Sequence, residues 1–387
     1  MQKKLIAVAV AGVLGAPAVA LAQTSTVNIY GKVTYEYTVI DQGAGRPSTD
    51  YADNPGGSNV GFRGEEKLGG GLSAWFQCET SADIREIDQV GICSRNSGVG
   101  FKGGFGNLHF GRWDTPFKRA LAPGSVGGMV ETGGLGTSFV AWGGSGGTDA
   151  TIPNNRQRWK RREVGLTYYE SPVFSGFQVL AAFTPGNGAI DNGAVDGDAN
   201  ARPRVWSFGG TYKNGPLGIG LGYERHNEFL VAGPAPGTDL DDRAWAISLG
   251  YTFAKKVEIG GTYLDAKYET GPGATTKRKS WTVGVEWNVA GPHTVMAFYG
   301  NAADTKGNGA GIAGGSSGSI PAPGADTGAN DWSIGYKYNF SKRTAIQIGY
   351  HRTDNDTNAF YKNGNANTPL VGGEKQDAYG FHIAHTF

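Results

Sequence analysis

The chain has 387 residues with 65 Gly, 17 Tyr, 18 Phe and 9 Trp, a composition that suits aromatic strands and turns and poorly suits long helices. Its 35 Lys and Arg stand against 34 Asp and Glu, which excludes the basic footprint of a nucleic-acid binder. The two cysteines form no C-x-x-C and no His/Cys cluster, so the sequence implies neither a metal site nor a cofactor.

The first segment, MQKKLIAVAVAGVLGAPAVALAQ, carries Lys3 and Lys4, an apolar run from Leu5 to Leu14, and Ala20-Leu21-Ala22. That order predicts a secretory signal peptide over residues 1–22, cleaved between Ala22 and Gln23, and leaves 23–387 as a single barrel domain. An apolar run of about 10 to 14 residues is too short to cross a bilayer of about 30 Å as a helix. Loss of Lys3 and Lys4 takes the positive residues from 35 to 33, against 34 negative. Beyond Ala22 nothing approaches the roughly 18 consecutive apolar residues of a membrane helix, so membrane insertion requires strands.

The mature chain opens with VNIYGKVTYEYTV. Read at period two, Val27, Ile29, Val33, Tyr35 and Tyr37 share one face, with Asn28, Lys32, Thr34 and Glu36 on the other. The same alternation recurs in RAWAISLGYTF, WTVGVEW and DWSIGYKYNF. Sixteen such runs begin near Thr26, Asn59, Leu72, Ser97, Asn107, Glu163, Phe177, Arg204, Gly218, Arg243, Val257, Lys279, His293, Asp331, Thr344 and Gln376. Tight connections such as EKLGGG, KGGFGN, KNGPLG, NVAGPH and NFSKR alternate with long polar segments, the longest from Asp114 to Arg162 and another from Thr270 to Arg278.

The pattern predicts an all-β fold: a 16-stranded antiparallel transmembrane β-barrel with short periplasmic turns and long extracellular loops. A water-soluble sandwich or propeller would turn its apolar faces inward instead. Lys32, Glu36, Glu286 and Lys337 on the polar faces suit a wet lumen, and a closed barrel satisfies its backbone without water. In the closing septet FHIAHTF, Phe381, Ile383 and Phe387 share a face, so the last strand runs to the C-terminus and closes against the first.

Cys78 and Cys93 lie fifteen positions apart in an exported chain and are expected to pair, with two free thiols as the alternative. Closing a loop of that size is worth about 3 kcal/mol in the chain-entropy model, enough to hold one loop rather than a fold.

VNIYGKV, VGFRGEEKLGGGLSAWFQ, SRNSGVGFKGGFGNLHFGR, LTYYESPVFSGFQV, YNFSKRT and the terminal phenylalanine, in this order and spacing, resemble the Gram-negative general porin family. The resemblance covers the whole mature chain and is strongest to the beta-proteobacterial branch of trimeric, 16-stranded channels. It implies passive diffusion of small hydrophilic solutes and ions through a barrel narrowed by a long third loop folded into the lumen. The segment Asp114 to Arg162 corresponds to that loop; its acidic Pro-Glu-Phe-Gly signature is absent here.

The resemblance also implies a constriction with opposed charges. Lys32 and Arg95 match basic positions of the family, although alternation back from Val99 would turn Arg95 outward unless a bulge or the strand's end intervenes. Asn59 stands where another constriction arginine is usual, and RQRWKRRE supplies Arg156, Arg158, Lys160, Arg161 and Arg162 where the loop rejoins the wall. Glu131 and Asp149 are the candidates for the acidic loop side. A mainly positive throat predicts a modest anion preference; the alternative is that these arginines are a solvated loop end or brace the loop against the wall by pairing with Glu131, Asp149 and Glu163.

Arg112 faces outward by alternation through Leu108 and Phe110. The resemblance implies that it latches onto acidic residues of a neighbouring subunit's second loop, which carries Glu79, Asp83, Glu86 and Asp88. Phe387 resembles the family's signal to the barrel-insertion machinery. The expected partners are thus two further copies of the chain, outer-membrane lipid and lipopolysaccharide, the insertion machinery, and small ions and solutes, in the outer membrane of a Gram-negative bacterium. The alternatives are a more specific solute channel, a barrel enzyme, or an exported scaffold without a pore. The six histidines sit in no nucleophile context such as G-x-S-x-G, so no catalytic residues are assigned.

Overall fold

The computed structural model describes residues 26–43, 45–53, 57–84, 91–127, 159–185, 204–228, 240–315, 318–363 and 371–387. Sixteen long strands form its wall: β1 (Thr26–Asp41), β2 (Asn59–Gly69), β3 (Leu72–Ser81), β4 (Ser97–Gly103), β5 (Gly106–Asp114), β6 (Arg162–Glu170), β7 (Phe177–Thr184) and β8 (Arg204–Asn214) make the first half. The second half is β9 (Leu217–Asn227), β10 (Asp242–Phe253), β11 (Val257–Gly271), β12 (Ala274–Ala290), β13 (His293–Ala302), β14 (Ala329–Asn339), β15 (Thr344–Asn355) and β16 (Lys375–Thr386). Each pairs antiparallel with its neighbours, and β16 returns to β1 in a register from Lys32↔Thr386 to Asp41↔Asp377. Closure leaves no open edge, which a sheet in hydrocarbon cannot tolerate. Past the last strand, Phe387 and Gly31 exchange two backbone hydrogen bonds of 3.0 and 3.2 Å.

Every strand begins within two residues of its expected start except β12, which begins at Ala274 rather than near Lys279. The expected long loop from Thr270 to Arg278 is instead a tight turn between Gly271 and Ala274, because β11 and β12 continue past the rim as a paired hairpin. The other connections keep the expected asymmetry: tight turns on one rim, longer segments on the other.

The apolar faces look outward. On β10, Ile247 and Leu249 are 41% and 52% exposed, whereas the intervening Ala246 and Ser248 are each 1% exposed. Aromatic pairs bound the apolar band at both heights. Trp245–Tyr263, Trp281–Tyr299 and Trp332–Tyr350 lie toward the loops, with centroids 5.3, 5.5 and 5.1 Å apart. Phe177–Tyr212 and Tyr338–Phe340 lie toward the turns, at 4.3 and 5.0 Å. Such rings place an apolar body and a polar tip at the two membrane interfaces. Inside, polar side chains meet, as where Lys337 Nζ donates to Glu286 Oε1 at 3.0 Å.

Candidate pore constriction

After β5 the chain turns into the lumen instead of over the rim. Thr115 caps a five-residue helix, α1 (Pro116–Ala120), its side chain accepting from the Lys118 amide, with Pro116 in the first turn. Thr-Pro at a helix start is a legible signal: the hydroxyl satisfies an orphan N–H, and proline has none to lose. A 3-10 turn, Ala122–Gly124, follows.

This segment lies directly on the wall. The Phe117 amide donates to Ser207 Oγ at 3.0 Å, and Ser248 Oγ donates to the Ala120 carbonyl at 2.6 Å. Contact this close requires that the wall lack side chains beneath it. A β-carbon on Gly220, Gly250 or Gly284 would overlap the carbonyl of Ala120, Pro123 or Val126 respectively. The three glycines lie on β9, β10 and β12, so a strip of lumen-facing glycine forms the bed on which the loop descends.

Residues 128–158 lie outside the described residues. Where the chain reappears, Trp159 is fully buried, stacks on His226 of β9 at 4.6 Å, and donates Nε1–H to Tyr268 Oη of β11 at 2.8 Å. Trp159 also meets Phe117 with ring centroids 6.1 Å apart. Entry and exit of the loop are thereby joined in one buried apolar cluster with Leu121, Leu264 and Ala266.

Beside that cluster stands a group of charges. Asp114 accepts from Lys118 Nζ at 2.7 Å and lies 3.3 Å from Arg162 Nη2. Arg162 Nε donates to Asn96 Oδ1 at 2.5 Å. Arg95 Nε donates to Glu79 Oε1 at 2.7 Å, and Glu79 also accepts from Tyr30 Oη at 3.1 Å. Arg119 pairs with Glu170. Lys160 completes the set: burial drives its ammonium down to about 8, with Lys118 pushing the same way and Asp114 opposing. Lys118 is also lowered, chiefly by burial against the opposing pull of Asp114. Arg95, Lys118, Arg119, Lys160 and Arg162 thus form a group of five cations, paired in part with Glu79, Asp114 and Glu170, while the Arg161–Glu163 pair and the Glu224 and Asp242 carboxylates beside His226 lie against the same loop.

Arg162 donates to Asn96, the residue next to Arg95, so the two arginines lie close together. Arg95 escapes the outward alternation because β4 begins only at Ser97. Lys32 lies half-buried on the lumen-facing set of β1. Arg161, expected on the basic wall, is instead 5% exposed and paired with buried Glu163, bracing the loop rather than facing the pore. Glu79, expected in the latch, faces the lumen side of β3 and is engaged by Arg95 and Tyr30. Arg112 sits at a bulge between Gly111 and Trp113, half-buried, with Nε lacking a hydrogen-bond partner among the described residues. Cys78 and Cys93 form a disulfide. Glu131, Asp149, Arg158, Ala22 and Gln23 lie outside the described residues.

Sequence reasoning missed Lys118 and Arg119, which follow the helix-start signal in TPFKRA. It also read RQRWKRRE as a basic run without seeing that its tryptophan is the anchor.

A closed sixteen-stranded barrel, apolar outside between two aromatic girdles and polar inside, with a third loop lying on its inner wall, defines an outer-membrane channel. The sequence profile of the Gram-negative porins matches residues 7–358, and the chain belongs to that family. It is 28% identical over 405 aligned positions, covering 100% of both chains, to outer membrane porin protein 32 of Delftia acidovorans. Among solved structures it is similar to an anion-selective porin from Comamonas acidovorans, with TM-score 0.73, 22% identity, and 94% of this chain and 100% of that one covered. It is also similar to the trimer form of OmpT of Vibrio cholerae, with TM-score 0.65, 16% identity, and 94% and 100% coverage. These findings place the protein in the outer membrane and point to a channel rather than an enzyme.

Proposed function

We propose that the protein is a homotrimeric diffusion pore for small hydrophilic solutes whose throat prefers anions. The observation that carries the preference is the group of five cations, Arg95, Lys118, Arg119, Lys160 and Arg162, gathered where the third loop meets the wall. Residues 128–158 add Glu131 and Asp149 against Arg156 and Arg158, so their formal charge cancels. Fixed charge in a narrow passage with low-dielectric walls raises the local concentration of counter-ions, here anions. In this reading Lys32, Arg95, Lys118, Lys160 and Arg162, joined by Arg158, form the basic side, and Glu131 and Asp149 the acidic side.

Three further assignments belong to the same reading. Arg112 contacts the second loop of a neighbouring subunit, in which Asp83 lies just past the end of β3. Phe387 addresses the insertion machinery, and export ends with cleavage between Ala22 and Gln23. The Comamonas relative, described as anion-selective, and the Vibrio relative, described in a trimer form, support the selectivity and the assembly.

Reversal potentials across planar bilayers under a salt gradient test the central claim. The expected result is an anion preference that falls in the Lys118→Gln/Arg162→Gln variant. A cation preference in the unaltered protein overturns it.

A further inference from the structure

The charged throat makes no use of a cluster of aromatic side chains that lies beside it in the lumen. From β2 to β6 one rung of directly opposed residues runs Glu65, Trp75, Gly100, His109 and Tyr168. The rung faces the lumen, because the alternating residues Phe76, Val99, Phe101, Phe110 and Tyr169 form the exposed outward set. On β4 neither this rung nor the next toward the loops carries a side chain: Gly98 and Gly100 stand there, and a β-carbon on Gly100 would overlap His109. The two glycines leave a trough between β3 and β5, over which rings from both strands meet.

His109 forms the floor of the trough. Its ring centroid lies 5.2 Å from Trp75, 4.9 Å from Trp113 and 4.7 Å from Tyr168, on which it stacks. Trp75 and Trp113 stand edge to face with centroids 5.8 Å apart, and each keeps part of its surface open. Trp75 is fixed by its Nε1–H, which donates to Asn107 Oδ1 at 2.8 Å. His109 is 1% exposed, yet its Nε2 has no hydrogen-bond partner among the described residues. Buried polar atoms in that condition are rare, and a polar occupant of the trough satisfies this one.

Cations flank the rings. One step toward the loops, Arg63 stands diagonal to Trp75, lies over the Tyr30 ring at 5.0 Å and has no carboxylate within ion-pair distance among the described residues. One step toward the turns, Lys67 and Lys102 share the carboxylate of Glu65. On the far side, Arg119 lies over the Tyr168 ring at 6.0 Å and also lines a recess of about 1210 Å³ between the descending loop and the turn rim, so the cluster adjoins the solute path.

We propose that this trough is a subsite for aromatic carboxylates in transit, and the inference rests on the anion-preferring pore proposed above. The ring of such a solute lies against Trp75 and Trp113, where a third aromatic takes the edge-to-face or offset geometry that the indoles already adopt. Its carboxylate takes Arg63, whose planar fork matches two oxygens at once. A saccharide is a poorer match, because it brings no charge to an arginine that lacks an ion pair. An aliphatic acid reaches Arg63 but makes no ring–ring contact.

The test uses full-length trimer in a neutral detergent and measures binding of benzoate and of cyclohexanecarboxylate, equal in charge and close in size, by saturation-transfer NMR titration. Benzoate is expected to bind about five-fold more tightly, the worth of one or two aromatic contacts. Trp75→Leu is expected to abolish that advantage. Arg63→Gln is expected to weaken both acids about ten-fold while keeping their ratio, and Trp281→Leu, on the outward face, to change neither. If Trp75→Leu does not fold, Trp113→Leu carries the comparison.

Equal affinities for the two acids, or an advantage that survives in both tryptophan variants, overturns the proposal. Tighter binding of glucose than of benzoate, lost in the same variants, overturns it in favour of a saccharide site, and benzylamine bound as tightly as benzoate overturns the role given to Arg63. Reversal potentials of the same samples in potassium chloride, with no aromatic solute present, report on the anion preference separately, so failure of that reading and failure of the trough are distinguishable.

Discussion

The carbonyl of Val126, in the third loop, occupies the space that a β-carbon on Gly284 of β12 would fill. Gly284 therefore sets how close the loop can lie to the wall. Gly284→Val is expected to lift the descending segment off its bed, at an overpacking cost of about 1–3 kcal/mol, while the outward faces keep the barrel inserted. Single-channel recording should show altered, noisier conductance with the heat-resistant trimer retained. Gly210→Ala, where a β-carbon meets nothing within 4 Å, serves as control and should leave conductance unchanged.

Selectivity should depend on pH through Lys160, whose ammonium is pushed down to about 8 by burial. Below that pH it is charged and adds to the positive throat; above it the amine is neutral and the anion preference should fall. Reversal potentials measured at pH 6 and pH 9.5 test this step, and Lys160→Gln should remove it while lowering the preference at pH 6. Stability runs the opposite way. A lysine whose folded value lies below the unfolded value of about 10.4 contributes stability present above 10.4 and lost as pH falls to the folded value. The loop should accordingly resist proteolysis better at pH 10 than at pH 7.

Most of the fold was legible because two solvents act on each strand. Hydrocarbon outside and water inside impose strict alternation, as in Trp245, Ile247 and Leu249 against Ala246 and Ser248. Where both faces meet water the signal disappears: Glu269 and Thr270, and Thr275 to Lys279, are polar on each side, so the β11–β12 hairpin above the membrane read as loop. The constriction was less legible because its positions depend on where a loop lands. Nothing local distinguishes the Arg161 that pairs with buried Glu163 from the Arg162 that joins Asp114, although they are adjacent. Gly250 and Gly284 were visible on polar faces, but the backbone they admit comes from well over a hundred residues earlier in the sequence.

The Cys78–Cys93 disulfide should stabilise one loop and little else. It closes a separation of 15 residues, worth about 3 kcal/mol against the open loop, and no wall pairing depends on it beyond β3. Reduction, or Cys78→Ser/Cys93→Ser, is expected to leave pore conductance and strand content intact while protease cleavage between Ser81 and Arg95 accelerates. Loss of the folded barrel on reduction would show that this staple acts on the wall itself.

Arg112 tests the assembly. It emerges at a bulge, where Gly111 pairs with Leu166 and Trp113 with Glu163, so the side chain is not fixed by a regular ladder. Its Nε is buried without a hydrogen-bond partner among the described residues, and a guanidinium in that condition carries a desolvation cost that an external carboxylate would relieve. Arg112→Glu reverses the charge and should weaken the trimer, lowering the temperature at which it dissociates on a native gel; Arg112→Lys should keep part of the contact. Asp83→Arg introduced into the Arg112→Glu chain should restore heat resistance, since the exchanged pair again attracts. A double variant no more stable than Arg112→Glu alone would place the contact elsewhere on the second loop.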